Sequence, residues 1–439
     1  MTTALLILVL LAGPATPVEP GPQKQLTFIE DDYPAALALA KKGKLPLFID
    51  AWAPWCHTCV FMREHVFNKS ELGKHAARFV FLSIDTEKES SAPFLRKYPI
   101  DTWPTLFIVD SAKETVALSW LGSVNAEQFG RLLDDGERAV KVAAQPKGSA
   151  EQKLAQADRL FGEKKLPQAI AAYRAAFEAM KPGQPRNART IESLLTALNQ
   201  NKEYKSCVDL ALAQAPQLPR GPSFVNALYL GLSCQASADN KEPWKLDAGE
   251  QLFALGQEGL KVEGILADDR SGLYEALVDF LVEKGDKKGS VELAKAWLEF
   301  LEAEAARAPT AAARAAFDPH RLNAALASGQ PQRVVAALTK SEADLPEDYN
   351  PPARLAIAYR ELGKLDEALA AADRAMKKVY GPRKIRVLET RASILARKGD
   401  LAGQKQALLE AVTCAKALPE GQRNPTTIAR LEGQVGKLK

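Results

Sequence analysis

The sequence predicts an amino-terminal α/β domain followed by an all-α solenoid of helical repeats. An apolar run over residues 45–54 has the length and composition of a buried strand, and it leads directly into Cys56 and Cys59. The carboxyl two-thirds is rich in Ala and Leu with few β-branched runs, which favours helices. Within it, the Gly-x-Leu pattern of Gly363-Lys364-Leu365 recurs 36 residues later as Gly399-Asp400-Leu401, a period typical of stacked helix pairs.

Two thiols separated by two residues at the start of a helix indicate a redox site. Cys56 and Cys59 are close enough to form a disulfide within one turn, and the positive end of the helix favours the thiolate of the first sulfur. Half of a zinc site is the alternative, but such a site needs four ligands, and no second CxxC or CxxH is present. His57 would be a ligand on its own, so we expect no metal and no cofactor.

Four features stand in a fixed order along the chain: Asp50 six residues before Cys56, the WCxxC sequence Trp55–Cys59, Trp103-Pro104-Thr105 before a strand, and Gly122 after a later strand. On these features, residues 25–140 resemble the thioredoxin superfamily. The stretch from 59 through 70, ending at Ile84-Asp85, most resembles the bacterial branch that contains exported disulfide reductases. The resemblance implies a thioredoxin-like fold and thiol–disulfide exchange.

The same resemblance implies a role for each matched residue. Cys56 would be the exposed nucleophile, Cys59 the buried resolving thiol, and Asp50 the proton acceptor that serves Cys59. Asp50 as a strand-end carboxylate without a catalytic role is the alternative. A cis-proline at position 104 would face the dithiol, and bound polypeptide would contact Trp55, Trp103, Pro104 and Thr105.

Two residues depart from the family pattern. Phe81 stands where many thioredoxins carry a lysine partner for the buried aspartate, so we expect Asp50 to be tuned differently. Trp103 is bulkier than the usual residue before the proline, so we expect narrower substrate access. Reduction potentials in the superfamily run from roughly −270 to −120 mV, and the central residues His57 and Thr58 do not indicate where in this range the protein lies.

The first residues of the chain, 1–20, are predicted to be a signal peptide. The apolar stretch 4–12 is too short to span a bilayer, and the small residues at 13–15 suit cleavage, although residues 1–3 lack a basic charge. An uncleaved apolar end is the alternative. We therefore expect export, to the periplasm.

Three further segments follow the signal: a thioredoxin-like domain at 25–142, a linker at 143–150 and a repeat domain at 151–439. Because the linker composition predicts few contacts across it, we expect a fragment ending near Gln145 to fold alone. The repeat domain resembles the tetratricopeptide repeat, most clearly at 355–382. Such repeats stack into a solenoid that usually binds a polypeptide. A scaffold or dimerisation arm without a ligand is the alternative.

The cysteines outside the CxxC sequence are Cys207, Cys234 and Cys414, all within predicted helices. Buried thiols without a chemical role are the favoured interpretation. A Cys207–Cys234 bridge between neighbouring repeats is the alternative in an exported protein.

The predicted function is thiol–disulfide exchange on protein disulfides, of reductase or isomerase type, through Cys56 and Cys59. The electron donor is unknown, and the repeats are expected to recruit a protein partner. A redox-regulated interaction scaffold, in which the repeats carry the main function, is the alternative. The net charge of +4 comes from 58 basic and 54 acidic residues with no dense basic run, which argues against nucleic acid as a partner.

Overall fold

The computed structural model describes residues 25–141, 148–180 and 185–438, so the predicted signal peptide and most of the predicted linker lie outside the described residues. The amino-terminal domain is built on five strands: β1 (Phe28–Glu30), β2 (Leu47–Trp52), β3 (Val80–Asp85), β4 (Thr105–Asp110) and β5 (Thr115–Leu121). Their order across the sheet is β1-β3-β2-β4-β5. Strands β1, β3 and β2 are parallel, and β4 is antiparallel to both β2 and β5.

Helices cover both faces of this sheet: α1 (Tyr33–Gly43), α2 (His57–His65), α3 (Ala92–Lys97) and α4 (Ala126–Val140), with short 3₁₀ turns at Ser70–His75 and Glu89–Ser91. Successive residues of β2 point to opposite faces. Leu47 and Ile49 pack in the apolar cluster that contains α1 and α3 residues, and Phe48 packs in the cluster of α2 and α4. Asp50 therefore lies on the face that α2 covers.

A long run of helices follows: α5 (Ala150–Gly162), α6 (Leu166–Glu178), α7 (Pro185–Gln200), α8 (Tyr204–Gln214), α9 (Pro222–Ser237), α10 (Lys245–Gly259), α11 (Ala267–Lys284), α12 (Lys287–Arg307), α13 (Ala311–Ala315), α14 (Asp318–Ala327), α15 (Gln332–Asp344), α16 (Asn350–Glu361), α17 (Leu365–Met376), α18 (Arg383–Arg397), α19 (Leu401–Ala417) and α20 (Pro425–Gly436). Consecutive helices pack against each other through successive apolar clusters. The recurring Gly363 and Gly399 lie in the turns of two helix pairs at φ of 74° and 78°, a conformation that favours glycine. Helix α5 already begins at Ala150, capped by Ser149, inside the predicted linker.

The two parts of the chain pack closely, and the expectation of few crossing contacts is wrong. Helix α5 lies against β5, where a Cβ at Gly162 would fall 2.4 Å from a methyl of Val116. Phe61 of α2 belongs to the same apolar cluster as Trp297 and Phe317 of the helical run. Linker composition could not reveal this, because the contacts lie outside the linker and those of Phe61 join residues more than 200 positions apart.

The far end of the helical run also reaches the amino-terminal domain. Gln422 donates hydrogen bonds of 2.8 Å to the backbone carbonyls of Thr86 and Lys88. Gly421, at φ of 99°, brings the backbone so close that a Cβ would lie 2.8 Å from the carbonyl oxygen of Ala92. The helices therefore contact the α/β domain from their first pair to their last.

Cys207 and Cys234 form a disulfide between α8 and α9, with a Cα–Cα distance of 6.2 Å. The favoured interpretation of two inert thiols is wrong for this pair, and the alternative bridge is what the structure shows. Cys414 is free and half-buried in α19, where burial raises the pKa of its thiol.

Across the three described ranges, no helix combines the length and apolarity needed to cross a membrane.

Candidate active site

Cys56 and Cys59 form a disulfide at the amino end of α2, with a Cα–Cα distance of 5.2 Å. Cys56 caps the helix, and the backbone N–H of Cys59 donates to its sulfur at 3.1 Å. This places the first sulfur at the positive end of the helix, where a thiolate is stabilised.

Both sulfurs are covered, and the expectation of an exposed Cys56 is wrong: its exposed fraction is 4%, and Cys59 is fully buried. The disulfide packs in an apolar cluster with Ala53 and three tryptophans, Trp52, Trp55 and Trp103. Because these rings pack around the pair, a substrate reaches Cys56 only if part of this cover moves.

Asp50 lies buried on β2, and neither carboxylate oxygen has a hydrogen-bond partner among the described residues. Burial raises the pKa of Asp50 to about 7, and the positive charge of Arg63 opposes this rise. Arg63 comes from α2, stacks over Trp52 at 4.3 Å and donates to the hydroxyl of Ser83 on β3. Arg63 of α2 thus supplies the positive charge near Asp50 that a lysine at the position of Phe81 would have supplied.

Trp103 precedes a cis peptide bond to Pro104. Its ring meets Trp55 edge-on at 5.2 Å, and its indole N–H donates to the hydroxyl of Thr86 at 2.8 Å. Thr105 is buried, and its hydroxyl donates to the Thr102 carbonyl at 2.6 Å. Trp55 and Trp103 therefore form one side of the site beside the disulfide. The Thr105 side chain is instead hydrogen-bonded within the loop that precedes β4.

The helical run contributes to this side of the site through Arg383. The indole N–H of Trp55 donates to Glu87 Oε1 at 2.8 Å, and the backbone N–H of Arg383 donates to Oε2 at 2.6 Å. The Arg383 guanidinium lies 5.1 Å from the centre of the Trp55 ring. Burial raises the pKa of Glu87, and these hydrogen bonds oppose the rise.

The two central residues of the CxxC sequence contact Asp268 of α11. His57 Nδ1 lies 2.9 Å from Asp268 Oδ1, and the Thr58 hydroxyl donates to Oδ2 at 2.6 Å. Burial opposes ionisation, but His57 and Thr58 hold the pKa of Asp268 at about 2. The His57 ring also packs against the ring of His320, with centroids 3.8 Å apart.

Sequence reasoning missed Arg63, Glu87, Asp268, His320 and Arg383. Three of them lie on the helical run, more than 200 residues from the CxxC sequence, and no local pattern marks them. Only Arg63 offered a sequence signal. It lies seven residues after Cys56, which is about two helical turns, so the two residues are expected on the same face of α2.

Residues 28–111 match the sequence model of a family described as thioredoxin-like. Thioredoxin C-3 of Corynebacterium nephridii is 26% identical over 121 residues, which cover 28% of this chain and 71% of that protein. The amino-terminal domain is thioredoxin-like. With its Cys56–Cys59 pair, this domain supports a thiol–disulfide redox role.

Solved structures resemble the helices that follow the thioredoxin-like domain. A tetratricopeptide repeat protein from Parabacteroides merdae is 11% identical, with a TM-score of 0.42 over 65% of this chain and 98% of that one. The TPR2AB domain of yeast Sti1, solved in complex with pHSP90, is 17% identical, with a TM-score of 0.24 over 66% and 98%.

A cleft of about 690 Å³ lies between the thioredoxin-like domain and the last repeats. Trp55 and Trp103 line it from one side, and four arginines line it from the other: Arg383, Arg386, Arg423 and Arg430. Because both tryptophans also pack on the disulfide, this cleft lies beside the redox pair, with the two rings between them.

Proposed function

We propose that this protein is a thiol–disulfide oxidoreductase of reductase or isomerase type, acting on protein disulfides through Cys56 and Cys59. The single observation that carries the proposal is the Cys56–Cys59 pair at the amino end of α2, with the buried Asp50 on the sheet face that this helix covers. A pure scaffold needs none of these features.

The reaction proceeds through two exchanges. The Cys56 thiolate attacks one sulfur of a substrate disulfide, forming a mixed disulfide and releasing the other substrate sulfur as a thiolate, which takes a proton. Cys59 then loses its proton to Asp50 and attacks Cys56, which releases the second substrate thiol and forms the Cys56–Cys59 disulfide. A thiol donor restores the dithiol by the reverse exchange. A pKa of about 7 suits Asp50 to accept a proton near neutral pH.

The cleft between the thioredoxin-like domain and the last repeats is the proposed substrate route. The repeats lie against the thioredoxin-like domain from α5 to Gln422, so the surface used for that contact is occupied by the chain itself. Recruitment of a polypeptide partner is therefore proposed at the cleft, where Trp55 and Trp103 offer apolar contact and Arg383 offers charge.

Turnover of insulin disulfides with dithiothreitol tests the activity. We expect the wild type to accelerate reduction, Cys56→Ser to fall to the uncatalysed rate, and the matched Cys414→Ser to keep the wild-type rate. Equilibration with glutathione tests the type. A potential of about −180 mV or more negative supports a reductase or isomerase, whereas one near −120 mV contradicts that type.

Export to the periplasm belongs to the same proposal. The Cys207–Cys234 disulfide supports it, because structural disulfides persist mainly in oxidising compartments. Fractionation of cells that produce the full chain tests it: recovery in the periplasmic fraction supports export, and recovery only in the cytoplasmic fraction contradicts it.

The second candidate is a redox-regulated scaffold, and two observations favour it: Cys56 is buried, and the repeats contact the neighbouring residues His57 and Thr58 through Asp268. In that case reduction of Cys56–Cys59 would change how the repeats bind a partner, with little turnover of substrate. Insulin reduction at the uncatalysed rate by a folded wild type would favour the scaffold over the oxidoreductase.

A further inference from the structure

Beside the disulfide, three side chains that can bind a metal come together where α2 meets the repeats. They are His57, Asp268 and His320, and one ligand atom from each lies within 4.8 Å of the other two. They come from three distant segments, and Asp268 and His320 are buried. Two imidazoles and a carboxylate in one small volume form the donor set of a zinc-class ion.

His320 carries the strongest evidence that this group lacks a ligand. Its side chain is 3% exposed, and Nε2 has no hydrogen-bond partner among the described residues. Its other nitrogen, Nδ1, is hydrogen-bonded to the Ser271 hydroxyl, which accepts the indole N–H of Trp297 at 2.7 Å. A buried polar atom without a partner costs free energy, whereas a metal-bound histidine typically has its second nitrogen held in this way.

The spacing of the other atoms fits one shared ion. Zinc ligands lie about 2.0–2.2 Å from the metal, so two ligands of one ion stand about 3 Å apart, and His57 Nδ1 and Asp268 Oδ1 are 2.9 Å apart. Glu275 Oε2 lies 3.6 Å from His320 Nε2 but outside the group of three, so Glu275 is a charged neighbour of the site and not one of its ligands.

We propose that His57, Asp268 and His320 bind one divalent ion of the zinc class. The ion joins the residue that follows Cys56 to helices α11 and α14, so it fastens the redox helix to the repeats. The site uses no sulfur, and its existence does not depend on the proposed redox function.

Metal binding to the oxidised, tag-free full chain tests the site. With Cys414→Ser as background, every remaining cysteine is in a disulfide, so no thiolate competes for the ion. The probes are Zn²⁺, counted by equilibrium dialysis and elemental analysis, and Co²⁺, followed by its visible absorbance. We expect one ion per chain, and at least tenfold weaker binding in Asp268→Asn and in His320→Gln.

The matched control is His65→Gln, because His65 also lies at this junction, stacked on Phe61, but outside the group of three. It should bind one ion like the parent. Circular dichroism checks that the variants fold. If His320→Gln does not fold, His57→Gln decides the matter, because the His57 side chain is 30% exposed and tolerates replacement better. Absence of binding to the parent, or equal binding in Asp268→Asn and His57→Gln, would overturn the proposal.

Discussion

Thr58, inside the CxxC sequence, donates its hydroxyl proton to Asp268 on α11, with an Oγ1···Oδ2 distance of 2.6 Å. The two residues are 210 positions apart in the chain. Since the other oxygen of the same carboxylate contacts His57, one buried acid holds both central residues of the redox sequence. The contact between the thioredoxin-like domain and the repeats therefore includes the redox sequence itself.

Asp268→Asn should expose Cys56. Hydrogen bonds to a charged group contribute about 1.5–3 kcal/mol, so weakening this contact should raise the open population tenfold or more. The measurement is the ratio of Cys56 alkylation rates with a large maleimide and with iodoacetamide, in reduced protein with chelator present. This ratio separates access from thiolate reactivity.

The control for that substitution is Asp366→Asn, which removes an exposed carboxylate paired with Lys398 on the repeats. It should leave the ratio unchanged. An unchanged ratio in Asp268→Asn as well would mean that Asp268 does not limit access to the site.

Gly381→Ala should weaken the contact between the last repeats and the thioredoxin-like domain. A Cβ there would lie 2.0 Å from the carbonyl oxygen of Glu87, and φ is 59°. Gly363→Ala is the matched control, since φ is 74° and nothing lies within 4 Å. Both substitutions carry the left-handed backbone cost of about 1–2 kcal/mol, but only the first adds a clash. Gly381→Ala should therefore lower the free energy of unfolding more than Gly363→Ala, as urea titration would measure. Equal losses would contradict the close approach.

Asp50→Asn should slow the release of a mixed disulfide more than its formation, because Asp50 is the proposed proton acceptor for Cys59. In the wild type the release rate should rise with pH through about 7, the pKa of the buried carboxyl. In Asp50→Asn the release rate should be at least tenfold lower at pH 8 and lack this rise. Stopped-flow single turnovers separate the two steps. A wild-type release profile in Asp50→Asn would remove Asp50 from the mechanism.

Stability against pH checks the same carboxyl independently. Because the pKa of Asp50 is raised from 3.8 to about 7, the folded state keeps a proton between about pH 4 and pH 7 that the unfolded chain releases. The free energy of unfolding should therefore fall as pH rises through this window, by up to about 1.4 kcal/mol per pH unit from this group. Asp50→Asn should flatten that slope. Burial also raises the pKa of Asp269 to about 7. Part of the slope should therefore remain in Asp50→Asn.

The Cys207→Ala/Cys234→Ala protein should lose roughly 3–4 kcal/mol of stability, because the bridge closes a loop across 27 positions. It should keep insulin reduction, since Cys56 and Cys59 are untouched. The pairing can also be counted directly: of five cysteines, the denatured oxidised chain should titrate one free thiol, that of Cys414. Three free thiols would contradict the bridge.

Sequence patterns predicted the local features well and the long-range ones poorly. The start of α2 at the cysteines, the buried β2 and the helix pairs around Gly363 and Gly399 follow from short-range spacing and backbone preference. The partners Asp268 and Arg383 do not, because nothing near them in the sequence indicates which surface they face. The burial of Cys56 was missed for a different reason: its cover is the packing of Trp52, Trp55 and Trp103 around the disulfide, and sequence spacing does not show how these rings pack.

Capture of a substrate by the two single-cysteine variants tests the central claim most directly. Reduced Cys59→Ser and reduced Cys56→Ser are each mixed with insulin, and the adducts are mapped by mass spectrometry without reduction. We expect Cys59→Ser to accumulate a mixed disulfide on Cys56 and Cys56→Ser to accumulate none. Capture by Cys56→Ser alone, or by neither variant, would contradict the assignment of Cys56 as the nucleophile.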